Sequence, residues 1–126
     1  MRVKQINHVS FTVRDLARSR EFYEGVLGLH TIERPNLGIP GMWYGAGAGQ
    51  IHLIQIPPGA AVGAAQGRLT PLANHCAFEI DDYEKFVAHL KQRGLPVMET
   101  NRELGQLFVQ DPDGNVIELI RPRAAM

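Results

Sequence analysis

Apolar and polar positions alternate along residues 5–14, with Val9, Phe11 and Val13 on one face and His8, Ser10 and Thr12 on the other. A period of two predicts a strand whose faces meet different surroundings. From Leu16 the period lengthens. Leu16, Phe22, Tyr23, Val26 and Leu27 form one stripe of a helix, with Asp15 able to cap its start and Gly28 placed to end it. Residues 29–34 read as a second strand and Met42, Trp43 and Tyr44 as a third. A fourth covers 50–56, where Gln50, His52 and Ile54 share a face, after a turn made by Gly45, Gly47 and Gly49. The order is β-α-β-β-β.

The pattern then returns. Asn74-His75 repeats Asn7-His8, with His75, Ala77 and Glu79 facing one way and Cys76, Phe78 and Ile80 the other. Asp81 or Asp82 can cap the next helix, whose stripe is Tyr83, Phe86, Val87 and Leu90, and Gly94 can stop it. Residues 95–98 and 106–110 read as strands, and the turn Asp111-Pro112-Asp113-Gly114 leads into a last strand carrying Glu118. Gly28 lies 20 residues after His8 and Gly94 lies 19 after His75, while His52 lies 44 after His8 and Glu118 lies 43 after His75. These offsets predict one α+β domain over residues 1–126, made of two βαβββ modules in tandem. Module one covers 5–56 and module two 74–121. The Pro- and Gly-rich connector 57–73 is long enough to act as a lid.

Composition narrows the functional classes. At 126 residues with 44% apolar positions, the chain can bury one core. Thirteen basic residues balance thirteen acidic ones, so no net field attracts nucleic acid or an acidic membrane surface. No apolar run approaches the length of about 20 residues that a membrane span needs. The first residues lack the apolar core of a signal peptide, and the single cysteine, Cys76, excludes an intrachain disulfide. A cytoplasmic location is expected. Cys76 should point to the helix-covered face and be an inert thiol, and His30 and His89 should be solvated.

The candidate chemistry lies on the polar strand faces. His8, His52, His75 and Glu118 are metal-ligating side chains at matched places in the two modules, and pairing of the modules would bring them together. Three imidazoles and a carboxylate suit zinc, nickel, iron, cobalt or manganese better than magnesium. Such a site keeps positions open for two adjacent oxygens of a small-molecule substrate and stabilises an enediolate or alkoxide; Glu118 would also be the catalytic base. Ser10, Thr12, Gln50 and Glu79 are candidate polar contacts to substrate. Trp43 and Phe108 would be apolar walls, with Met42 and Ile54 beside them. A homodimer is expected as well, because sheets of this size leave strand edges exposed.

The residues Asn7-His8-Val9, Phe22-Tyr23 with Leu27-Gly28-Leu29, Asn74-His75, Asp111-Pro112-Asp113-Gly114-Asn115 and Ile117-Glu118-Leu119 resemble the vicinal oxygen chelate superfamily. That superfamily includes glyoxalase I, fosfomycin-resistance enzymes, methylmalonyl-CoA epimerase, extradiol dioxygenases and bleomycin-resistance proteins. The resemblance implies curled mixed sheets around a metal-containing cleft, with ligands at His8, His52, His75 and Glu118. It also implies a lyase, isomerase or transferase of the glyoxalase type, in which short two-module chains pair and sometimes share each site. Departures narrow the choice. Glyoxalase I usually carries Glu or Gln where this chain has His52, and Thr12 stands where an arginine helps hold glutathione in many of them. Glu99 falls about where the fosfomycin thiol transferases have a lysine. Two alternatives remain: a metal-independent binding protein of the bleomycin-resistance type, with the connector closing over an apolar cleft, and a ring-cleaving dioxygenase.

Overall fold

The computed structural model describes residues 1–63 and 67–122. They fall into two compact units, residues 1–63 and residues 64–126, so the division lies inside the connector.

The first unit runs β1 (His8–Val13), α1 (Leu16–Arg20) continuing as π-helical turns (Glu21–Val26), β2 (His30–Ile32), β3 (Gly41–Ala46) and β4 (Gly49–Gln55). Its sheet has the order β1-β4-β3-β2, with β1 parallel to β4 and the other pairs antiparallel. Asp15 caps α1, its Oδ1 accepting from the Arg18 amide at 3.3 Å. The helix then widens: the Leu27 amide donates to the Phe22 carbonyl at 3.0 Å, five residues back. A π turn is how a helix absorbs one extra residue without losing its hydrogen bonds. This accounts for the one-residue excess in the first module's spacings. Phe22, Tyr23 and Val26 pack beneath the sheet with Val13, Tyr44, Ile51 and Leu53, all buried.

The second unit runs β5 (His75–Glu79), α2 (Tyr83–Gln92), β6 (Met98–Asn101), β7 (Gln106–Gln110) and β8 (Val116–Ile120), in the sheet order β5-β8-β7-β6. Here β5 is parallel to β8 and the rest antiparallel. Asp82, rather than Asp81, caps α2 by accepting from the Lys85 amide at 3.1 Å. Tyr83, Val87 and Leu90 are its buried stripe. The strand expected at 95–98 begins only at Met98 and runs to Asn101. Two reasons are local. Gly94, at φ +72°, and Leu95 are used to close the helix, their amides donating to the Lys91 and Leu90 carbonyls at 3.0 and 3.2 Å. Pro96 then has no N–H to give a ladder. The β7–β8 turn is tied by Asp111, whose Oδ1 accepts from the Asp113 and Asn115 amides at 2.9 and 2.8 Å.

Within the connector, residues 64–66 lie outside the described residues. Leu69 and Ala73 are folded onto the second sheet, against Phe108 and Val116. Among the described residues no helix is long and apolar enough to cross a membrane.

Candidate functional site

In the first unit, strand register decides which side chains meet. Ser10 and Trp43 are both paired with His52, on either side of β4, and His8 is paired with Gln50. These residues share the face turned away from the helix. The His52 imidazole is 8% exposed and lies flat against two rings, with centroids 4.0 Å from His8 and 4.1 Å from Trp43 and interplanar angles of 15° and 3°. Burial first, and then the nearby His8 and Arg34, push the His52 pKa below its usual value and keep the ring neutral. A cleft of about 480 Å³ opens on this face, lined by His8, Ser10, Trp43, Gln50, His52 and Ile54 together with Asn7, Arg34, Leu37 and Ile39.

The nitrogens of both histidines are sorted by neighbouring amides. An amide oxygen only accepts, so His8 Nδ1 donates to Asn7 Oδ1 at 2.8 Å and His52 Nε2 donates to Gln50 Oε1 at 2.8 Å. His8 Nε2 and His52 Nδ1 are left as lone-pair nitrogens. Two expected neighbours are absent from the cleft. Thr12 is exposed further along β1, outside the lining residues. Met42 pairs with Leu53 and so faces the helix side, a correction that follows from strand alternation.

The second unit repeats the register. Ala77 and Phe108 flank Glu118 as Ser10 and Trp43 flank His52. His75 Nδ1 donates to the Ala73 carbonyl at 2.7 Å, which leaves Nε2 facing Glu118 Oε1 at 3.1 Å. Two acceptor atoms so placed need a proton or a cation between them. Two ligand atoms each about 2.1 Å from one metal ion, and at right angles about it, are about 3 Å apart. The donor chemistry fits a divalent transition metal, since a ligating histidine normally gives its other N–H to a carbonyl or carboxylate. Glu118 is 8% exposed and is not the partnerless carboxylate that an apolar strand suggests, because Gln106 Nε2 also donates to its Oε2 at 3.3 Å. Gln106 was not singled out from sequence, although its place two residues before Phe108 on β7 puts both on the Glu118 face.

Other expected residues sort as follows. Phe108 is 2% exposed beneath Leu69 and Ala73, with its ring edge-on to His75 at 5.1 Å. It backs His75 and Glu118 as part of a packed core. Glu79 is exposed at the end of β5. Cys76 is half-buried, and burial raises its thiol pKa, which makes it unreactive. Glu99 serves the opposite face, accepting from Tyr83 Oη at 2.9 Å and from Arg102 at 2.7 Å. His30 is exposed, whereas His89 is half-buried near the Phe86 ring. The structure brings together His8 with His52 and His75 with Glu118; among the described residues, no group of three or more His, Cys, Asp or Glu forms a metal-binding set.

The chain belongs to the Glyoxalase/Bleomycin resistance protein/Dioxygenase superfamily, whose family model matches residues 5–119. It is 32% identical to Glyoxylase I 4 of Arabidopsis thaliana over 126 residues, covering 94% of this chain and 71% of that protein. It is 27% identical to the metallothiol transferase FosB of Lysinibacillus sphaericus, covering 94% and 82%. Among solved structures, a glyoxalase/dioxygenase from Nostoc punctiforme shares the fold, with a TM-score of 0.77 at 21% identity over 96% of this chain and 92% of that one.

Proposed function

We propose that the protein is a metal-dependent enzyme acting on a small molecule with two adjacent oxygens, its metal ligands being His8, His52, His75 and Glu118. The observation that carries this reading is the His75–Glu118 pair, where the imidazole Nε2 lies 3.1 Å from a carboxylate oxygen while Nδ1 is engaged by the Ala73 carbonyl. The similarity to a glyoxalase and to a metallothiol transferase supports it. A divalent zinc, nickel, iron, cobalt or manganese ion would act there as a Lewis acid toward the substrate oxygens.

The remaining roles belong to the chain. Asn7, Gln50 and the Ala73 carbonyl fix the imidazole tautomers, so each ring presents one lone pair. Glu118 is also the base toward the substrate carbon, and Gln106 steadies its Oε2. Trp43, Ser10 and Gln50, which line the first unit's cleft, orient the substrate body. A homodimer in a cytoplasmic setting completes the proposal.

Elemental analysis of protein purified without added metal or affinity tag tests it. Wild type should hold a stoichiometric divalent metal, and His75→Ala and Glu118→Ala should lose it. Unchanged metal content in these variants refutes the ligand set. If both pairs serve one site drawn from two chains, dilution should release metal as the dimer dissociates. A metal-loaded monomer at micromolar concentration by light scattering refutes the sharing. The competing reading, a binding protein without chemistry, draws on the apolar wall that Leu37, Ile39, Trp43 and Ile54 give the first unit's cleft. Ligand binding that survives chelator, with no turnover in any metal, would favour it.

A further inference from the structure

Arg34 is the cleft residue that the metal reading does not use. It lies half-buried in the segment between β2 and β3 and lines the same cleft as Trp43 and His52. Its guanidinium gives one hydrogen bond, from Nη2 to the Ile39 carbonyl at 2.8 Å, and its Nε is buried with no acceptor. It forms no ion pair with a carboxylate among the described residues. None of the ten lining residues is acidic, so the fixed charge facing this space is positive.

The placement is built by the backbone. At Gly41 a Cβ would lie 2.7 Å from Arg34 Nη2 and 2.9 Å from Cζ, and it would also run into the Leu53 carbonyl oxygen. Only glycine at the start of β3 lets the guanidinium rest there. A planar group with five N–H donors, one of them used, held beside an apolar wall and lacking a counter-charge, is arranged to take an oxyanion. Leaving such a charge partly desolvated and unpaired has a cost that an anionic ligand removes.

We propose that the first unit's cleft binds a small organic acid, its oxyanion on the Arg34 guanidinium and its apolar body against Trp43, Leu37 and Ile39. The proposal rests on reading this cleft as the substrate's place, but not on the metal. Carboxylate and phosphonate share the chemistry that a guanidinium fork recognises, and the assay separates them.

Trp43 is the chain's one tryptophan, so its fluorescence reports from inside the cleft. Chelator-treated, full-length protein is titrated with phenylacetate, phenylphosphonate and the neutral phenylacetamide. At least one acid should bind saturably, about tenfold or more tightly than the amide, as expected when a charge-assisted hydrogen bond is lost. The stronger acid identifies the anion. Raising the salt should weaken acid binding and leave amide binding unchanged. Arg34→Gln should reduce acid affinity to that of the amide, and Arg34→Lys should retain part of it. Should Arg34→Gln fail to fold by thermal melt, the salt dependence and the lysine variant decide.

Equal binding of acid and amide, wild-type acid affinity in Arg34→Gln, or no saturable response to either acid would overturn the proposal. The two readings fail separately. Arg34-dependent acid binding in a chain that never takes up metal sinks the metal alone, whereas normal metal content with acid and amide bound alike sinks the oxyanion site alone.

Discussion

In the first unit Trp43, the aromatic residue paired with His52, is half-buried and lies flat on that imidazole at 4.1 Å. In the second its register equivalent, Phe108, is 2% exposed and meets His75 edge-on at 5.1 Å. Both sit on the same face of the same topology, next to the residue at the matched strand position, His52 or Glu118. What differs is the cover. Leu69 and Ala73 of the connector close over Phe108 and Val116, whereas the first unit's face keeps a cleft of about 480 Å³. One strand pattern therefore gives an open cleft where the face is left uncovered and a packed backing where it is covered.

The largest effect should come from removing the two aromatics. Phe108→Ala is expected to cost about 3–5 kcal/mol, as deletion of a buried ring does. Trp43→Ala should cost about 1 kcal/mol, in the range of ordinary partly exposed substitutions. Denaturant unfolding of both variants checks this, and equal losses would break the comparison.

The second expectation concerns alkaline pH. Tyr44 in the first unit and Tyr83 in the second are buried, and burial first, with hydrogen bonds to Glu24 and Glu99 next, raises both pKa values, that of Tyr83 to about 12. An acid whose folded pKa is raised keeps its proton while the unfolded chain loses it. Stability is thus intact below the ordinary tyrosine value of about 10 and falls as pH rises above it. Melts between pH 8 and 12, in wild type and in Tyr44→Phe and Tyr83→Phe, should show the fall flattened in each variant. At neutral pH each variant should lose about 1 kcal/mol, the net worth of one hydrogen bond. A wild-type stability that does not fall above pH 10 would contradict the burial of both phenols.

The smallest effect separates the helices. Asp82→Ala should cost about 1 kcal/mol and Asp15→Ala less, because Asp82 holds the shorter bond on a regular ten-residue helix. Thermal melts decide, and the reverse order would mean that the π-widened helix depends more on its cap.

Much of this was legible in the chain as written. The period of two placed His8, Ser10 and Thr12 opposite Val9, Phe11 and Val13, and the burial of β1 follows it. Both aspartate caps, both glycine stops and the Asp111 turn were readable, since each joins atoms a few residues apart. The one-residue excess in the first module was visible as a spacing, though only the Leu27–Phe22 hydrogen bond shows where it is stored. The late start of β6 could have been read from Pro96.

Period and capping are local, so sequence by itself determined the two repeated modules, their helix ends and which residues of each strand share a face. Only the tertiary structure decided that the connector covers Phe108 and leaves Trp43 open. It alone brought Arg34 over Gly41 against β4, and Glu118 to His75 across 43 residues of chain. Those outcomes depend on contacts between segments far apart in sequence, where no short pattern records which side chain will meet which, or which face of a sheet will be left open.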